Sequence, residues 1–141
     1  MIDSFTGEFR FLSNFFPAEV VLDGVTYPTV EHAYQACKTL LDSQRLQIWK
    51  AATPAIAKRL GKQVDVRPRW NDIKVHEMRK LLAQKFRHEH LQELLLATRG
   101  QEVVEGNWWG DPFWGVYEGK GENWLGKLLM EVRDAADPTQ G

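Results

Sequence analysis

The chain has 141 residues, 43% of them hydrophobic, which suffices for one globular domain with a sizeable core. Eighteen basic residues against nineteen acidic ones exclude a global attraction to nucleic acid or an anionic membrane, so any such binding needs a local patch. Cys37 is the lone cysteine, which excludes an internal disulfide framework and suits a reducing compartment. No apolar run approaches the ~20 residues of a membrane span, and the opening Met1-Ile2-Asp3-Ser4-Phe5 carries no signal-peptide core. A cytoplasmic protein without membrane contact is expected, with residues 1–5 and 136–141 frayed.

In chain order, Glu8-Phe9-Arg10-Phe11-Leu12 alternates and is rich in aromatics, so it reads as a strand with Arg10 on the face opposite the phenylalanines. Ser13-Asn14 breaks it, and Phe15-Phe16-Pro17 makes an apolar corner. Glu19–Leu22 and Val25–Tyr27 flank Asp23-Gly24, the signature of a type I′ hairpin. Pro28 and Thr29, an N-cap residue, lead into a helix from Val30. Asp42 or Ser43 caps a second helix to about Ala52, with Leu46 and Trp49 inward. Thr53-Pro54 starts a third, and Gly61 suits its C′ end. Val64 to Pro68 is extended or a loop, because Pro68 disfavours helix at Arg67. Asn71 or Asp72 opens a long helix through about Phe86, and Leu91 to Ala97 supplies another. Val103-Val104 offers a short strand, Gly106 to Glu122 a loop rich in glycine and tryptophan, and Trp124 to about Ala135 the last helix. The expected fold is α+β: a mainly helical single domain spanning residues 1–141, with a small antiparallel sheet near the N-terminus.

Two patterns carry chemistry. On the helix after Thr29, Glu31 and Lys38 are seven residues apart, so they share a face with Tyr34 and Gln35 between them. Roughly 10 Å of helix axis separates them, too far for an ordinary intrahelical ion pair, but their long side chains can converge on a third object. The other face is small and apolar: Val30, Ala33, Ala36, Cys37 and Leu40. The second pattern is Gly106-Asn107-Trp108-Trp109-Gly110-Asp111-Pro112-Phe113-Trp114-Gly115. Here the glycines allow close approach of a ligand, and Trp108 and Trp114 offer flat surfaces for a nucleobase beside the carboxylate of Asp111. A long loop in a compact domain favours function.

Weaker candidates are Ser13-Asn14, able to close a turn or reach a ligand, Arg10 as a phosphate contact, and Trp70, which precedes a helix and also suits a core. His88-Glu89-His90 lacks a third ligand and reads as surface, so no metal site is expected. His32 points about 100° away from Glu31 and reads as structural. Neither a phosphate-binding loop ending in Lys-Ser/Thr nor a dinucleotide fingerprint is present.

Four segments together resemble the NADAR family, named for its association with NAD and ADP-ribose metabolism. They are Phe11-Leu12-Ser13-Asn14-Phe15-Phe16-Pro17, Tyr27-Pro28-Thr29-Val30-Glu31-His32-Ala33-Tyr34-Gln35-Ala36-Cys37-Lys38, Gly110-Asp111-Pro112-Phe113-Trp114-Gly115 and Gly121-Glu122-Asn123-Trp124-Leu125-Gly126. The likeness covers nearly the whole chain in the right order. It implies hydrolysis of N-glycosidic bonds to ribose without a cofactor. The substrate would be an ADP-ribosylated guanine in DNA or RNA, releasing ADP-ribose, or a phosphoribosylamino-pyrimidine intermediate of riboflavin synthesis. A non-catalytic ADP-ribose binding module and a protein-contact surface on the tryptophan loop are the alternatives of another class. The resemblance puts the functional glutamate at Glu31, the lysine at Lys38, the tryptophan before the long helix at Trp70, and the Asp-x-x-Trp pair at Asp111 and Trp114. The Ser-Asn turn falls at Ser13 and Asn14. Trp124 departs from the pattern, many relatives carrying a smaller apolar residue there. Glu31, Lys38 and Asp111 are therefore the expected catalytic groups. Arg10, Ser13, Asn14, Tyr34, Trp70, Trp108, Trp114 and Asn123 are the expected substrate contacts.

Overall fold

The computed structural model describes residues 1–140. It is mainly helical with a small antiparallel two-stranded sheet, as the α+β reading expects. The single domain expected from sequence packs as two compact units, one of residues Asn14–Lys85 and one of Met1–Ser13 together with the chain from Phe86 onward.

In the Asn14–Lys85 unit, β1 (Val20–Leu22) and β2 (Val25–Tyr27) pair antiparallel with Val20 opposite Tyr27. Asp23 and Gly24 both adopt positive φ, 47° and 82°, as the type I′ turn requires. The free edge of β1 is covered by a side chain. Val21 N–H donates to Gln84 Oε1 at 2.7 Å, and Gln84 Nε2 donates to Val21 O at 2.8 Å, so a carboxamide stands in for a neighbouring strand.

The hairpin delivers the chain to α1 (Val30–Cys37), whose first turn is capped by Thr29 Oγ1 accepting from His32 N–H. All eight residues of α1 are buried, because β1, β2, α2 (Asp42–Trp49), α3 (Pro54–Gly61) and α4 (Trp70–Lys85) pack around it. His32 is a bolt in this arrangement. Its Nε2 donates to Ala51 O at 3.0 Å, which fixes the tautomer, and Nδ1 then accepts from the Thr29 hydroxyl at 2.8 Å.

Helix α2 differs from expectation. Leu41, not Asp42 or Ser43, is its N-cap, and its inward residue is Ile48, while Leu46 and Trp49 remain 47% and 46% exposed. The Trp49 indole lies flat enough to donate to Thr26 O at 3.0 Å, which satisfies its N–H at the surface. Thr53 and Pro54 start α3 as their types dictate, but Gly61 is the last helical residue, buried against Gln35, not a left-handed C′ residue. Helix α4 buries Lys85 completely at its C-terminal end, 5.9 Å from the Phe16 ring centroid; desolvation lowers that amine to a pKa of about 7.

In the other unit the segment read as a strand, Glu8–Leu12, lies within a 3₁₀ helix, Gly7–Leu12. Adjacent Phe11 and Leu12 are both buried, which a strand with one solvated face cannot arrange. Gly7 at φ 58° turns the chain into it, and Ser13 N–H closes it on Arg10 O. The chain start, expected to fray, is tied down: Ile2 is 2% exposed and exchanges backbone hydrogen bonds with Glu102 and Val104 around a single bridge to Val103. The tail is held as well, by an Arg99–Asp137 pair at 2.6 Å whose guanidinium keeps the buried carboxyl well below the usual range, while Gly141, the last of the residues expected to fray, lies outside the described residues. Helix α5 (Glu89–Leu96) buries Leu91 and Leu95. The strand expected at Val103-Val104 is only the single bridge of Val103 to Ile2, whereas the loop expected from Gly106 holds Gly106–Asn107 (β3) parallel to Val116–Tyr117 (β4), and α6 (Trp124–Ala136) follows. Buried Arg133 donates to Thr98 O and Gln101 O, fastening α6 to the end of α5. Among the described residues no helix is long and apolar enough to cross a membrane.

Candidate active site on the buried helix

Glu31 and Lys38 do converge on a third group, and it belongs to their own helix. Gln35 lies four residues after Glu31 and three before Lys38, the two spacings that bring helical side chains together. Gln35 Nε2 donates to Glu31 Oε1 at 2.8 Å, and Lys38 Nζ donates to Gln35 Oε1 at 3.2 Å and to Gly61 O at 2.9 Å. Carboxylate, carboxamide and amine therefore form one chain of hydrogen bonds along α1. Glu31 is 7% exposed and Gln35 6%, so the acid and the carboxamide are taken out of water, while Lys38 is half-buried. Burial lowers the Lys38 pKa from its ordinary value; the Glu31 charge opposes the shift, and Lys62 and Lys74 add to it. The result is an amine more easily neutral than an exposed lysine, beside a carboxylate able to move a proton.

Asn14 backs the acid. Its carbonyl accepts Glu31 N–H at 3.1 Å, and its side-chain Nδ2 rests on Met78 Sδ at 3.6 Å. The Asn14 Oδ1 atom is buried with no protein partner, a free acceptor beside the Glu31 backbone. Tyr34, expected on the same face, stacks at a 49° tilt on Trp70, with ring centroids 5.4 Å apart. Both rings are mostly buried, at 7% and 8% exposure. Among the sequence candidates, Glu31, Lys38, Asn14, Tyr34 and Trp70 thus belong to one unit. Gln35 is not among the site residues expected from sequence, although its i+4 and i−3 spacings to the acid and the amine are readable there. Cys37 is buried, and burial and Glu77 push its thiol up to about 11, which makes it inert at neutral pH.

The remaining candidates lie in the other unit, where several have local structural work. Asp111 Oδ1 accepts from both Phe113 N–H and Trp114 N–H at 3.0 Å, and Asn107 exchanges two hydrogen bonds with the Asp111 backbone. Asp111 is thereby the clasp of its loop. Asn123, expected to contact substrate, is turned to the main chain instead. In a left-handed conformation it accepts from Glu105 N–H and donates to Val103 O, both at 3.0 Å, with a glycine at 126 where a Cβ would strike Val103 O and the Asn123 carboxamide. Trp108 stands out at 84% exposure, edge-on to Trp109, while Trp114 packs edge-on to Phe113. Arg10 is exposed in the 3₁₀ helix, not on a sheet face, and Ser13 is half-buried beside it. His88 and His90 are exposed. Among the described residues no cluster of three or more His, Cys, Asp or Glu is placed to hold a metal.

Comparison with known proteins gives the class. The chain belongs to the NADAR family, whose domain is matched over residues 4–136. It is 41% identical over 126 residues to the N-glycosidase YbiA of Escherichia coli, an alignment covering 86% of this chain and 78% of that protein. An N-glycosidase of Nostoc punctiforme is 38% identical over 129 residues, covering 86% and 82%. A riboflavin biosynthesis protein of Vibrio vulnificus is 39% identical over 130 residues, 88% of this chain but 35% of that longer protein. The solution structure of Escherichia coli YbiA superposes with a TM-score of 0.81 at 38% identity, covering 96% of this chain and 86% of that one. The protein is an enzyme of the hydrolase class.

Proposed function

We propose that the protein is a cytoplasmic N-glycosidase that hydrolyses the ribosyl C1′–N bond of an ADP-ribosylated nucleobase, guanine in DNA or RNA, releasing ADP-ribose. The observation that carries the reading is the Glu31–Gln35–Lys38 row, in which a buried carboxylate and an amine of lowered pKa are joined through one carboxamide. Cleaving the bond puts positive charge on the sugar and negative charge on the departing base. Glu31 and Lys38 hold one proton between them, and with it on the Glu31 carboxyl rather than on the Lys38 amine, Glu31 supplies it to the base as the C1′–N electron pair leaves with it. The neutral Lys38 amine takes up C1′ and passes its extra proton to the Glu31 carboxylate. The nitrogen lone pair then expels the ring oxygen, which takes that proton back, leaving a protonated imine on the opened sugar. Water adds to the imine carbon with Glu31 as base, and collapse returns the free sugar and the Lys38 amine. Asn14 Oδ1 is the acceptor offered to a ribose hydroxyl, and the Tyr34–Trp70 pair is the flat wall for base or sugar. Asp111 is read as the clasp of its loop and is given no chemical step.

The riboflavin-biosynthesis name of the Vibrio relative favours a second substrate, a free phosphoribosylamino-pyrimidine, for the same chemistry. A non-catalytic ADP-ribose module is disfavoured, because binding alone gains nothing from desolvating an amine. The deciding experiment measures base released from ADP-ribosylated guanine in an oligonucleotide and from the free phosphoribosylamino-pyrimidine. Release from the oligonucleotide supports the first reading and release only from the free nucleotide the second. Release from neither, with tight ADP-ribose binding by calorimetry, would leave the binding module.

A further inference from the structure

We infer that Gln35 is the positioning residue of this site: its carboxamide, with the carbonyl of Gly61, aims the lone pair of the Lys38 amine. The inference rests on the reading of Lys38 as the attacking group, and it adds how the attack is directed. A neutral amine carries two N–H bonds and one lone pair in a tetrahedral arrangement. At Lys38, Gln35 Oε1 and Gly61 O are two acceptors, one for each N–H. The lone pair must then occupy a remaining tetrahedral position, turned away from both. Deprotonation uncovers it there while both hydrogen bonds persist, so the amine needs no rearrangement before it reacts.

The carboxamide can play this part because it is polar in a fixed sense. Its NH₂ end faces the Glu31 carboxylate, and its oxygen faces the amine. Reversed, its oxygen would oppose the Glu31 carboxylate, and its NH₂ would either oppose the protonated amine or cover the lone pair of the neutral one. Nor can it drift toward α3, because it presses on Gly61, where even a Cβ would overlap it. Glycine is a costly helix residue relative to Ala, so its presence as the last residue of α3 answers a need for space.

The test reads the amine in two ways that need no glycosidic substrate. The first is the pH midpoint for acetylation of Lys38 by acetic anhydride, followed by peptide mass spectrometry. The second is the rate of cyanoborohydride trapping of Lys38 on free ADP-ribose. The charged groups facing Lys38 are Glu31, Lys62 and Lys74, all left intact in the variants used. Gln35→Glu places a carboxylate against the amine and raises the midpoint by about one pH unit or more. Gln35→Met keeps the length but removes both hydrogen bonds, and trapping slows by about 10²-fold, the usual cost of a reacting group misplaced by an ångström. Gly61→Ala, which leaves Gln35 in the chain and suits a helix end, displaces the carboxamide and slows trapping by about 10-fold or more. Trapping at the native rate in Gln35→Met, or an unmoved midpoint in Gln35→Glu with a native melting profile, overturns the inference. Failure of the native protein to release any base would strike the proposed function alone, since neither measurement depends on turnover.

Discussion

Helix α1 and the tryptophan loop are the two most unusual regions of the molecule, and they are unusual in opposite ways. In α1 the polar groups are hidden: Glu31, His32 and Gln35 are all under 8% exposed, and each has a hydrogen-bonded partner. In the loop the apolar groups are displayed, with Trp108 at 84% exposure and Trp109 at 45%. A buried carboxylate or amine costs several kcal/mol unless its partners are well placed, so α1 carries a cost to fold stability that the loop does not. Exposed indoles cost less, and the loop is kept in shape by backbone and carboxamide contacts around Asn107, Asp111 and Asn123. The lesson is that the residues most suggestive by type, the tryptophans, are not those under the greatest electrostatic constraint.

This contrast can be broken at α1 first. Lys38→Ala should lower kcat/KM by at least about 10³-fold and abolish the borohydride-trapped sugar adduct. In the native enzyme the rate should fall at high pH as the Glu31–Lys38 pair gives up the one proton it shares, with a midpoint below the 10.5 of an ordinary lysine. A midpoint at or above that value would remove the amine from the chemistry. Glu31→Gln should cost about 10² to 10⁴-fold in kcat with the melting temperature little changed. Full activity in a folded Glu31→Gln protein would reduce the row to a structural network.

Lys85 sharpens the comparison as a second buried amine on the same side of it. In the unfolded chain this group keeps its proton to about 10.5, and in the folded chain only to about 7. Between those values the unfolded state binds more protons, so stability rises with pH across that window. Lys85→Met should therefore stabilise the protein by on the order of a few kcal/mol below pH 7, the gain shrinking toward pH 10. Urea unfolding of both proteins across that range checks the sign. In the other unit, Asn123→Ala leaves the Glu105 N–H and Val103 O without their partner and should cost about 1–3 kcal/mol for each orphaned group, read as a lower melting temperature. Trp108→Ala is expected to change stability by no more than about 0.5 kcal/mol, because so little of the ring is buried. A larger loss would mean that the loop stabilises the fold.

Some of this was legible in the sequence and some was not, for physical reasons. Asp23-Gly24, Thr29 and Thr53-Pro54 act through backbone angles and hydrogen bonds within four residues, so residue type alone decides the turn and the caps. The Glu31, Gln35 and Lys38 spacings are likewise local to one helix. Glu8–Leu12 misled because alternation states which side chains share a face but not whether a strand exists to pair with; with none, the segment closed on itself as a 3₁₀ helix. Hydrophobicity alone points Leu46 and Trp49 inward, but an eight-residue helix presents a narrow buried face, and Ile48 fills it. The burial of Lys85 depends on what covers the end of α4, which no local pattern encodes.

The all-round burial of α1 bears on how the enzyme can be re-engineered. Eight consecutive residues with no outward face leave no permissive position for a tag, a charge or a random library in that segment. On the proposed reading of the site, variation that changes substrate preference enters through the walls around α1, while the helix itself is handed on as one indivisible block.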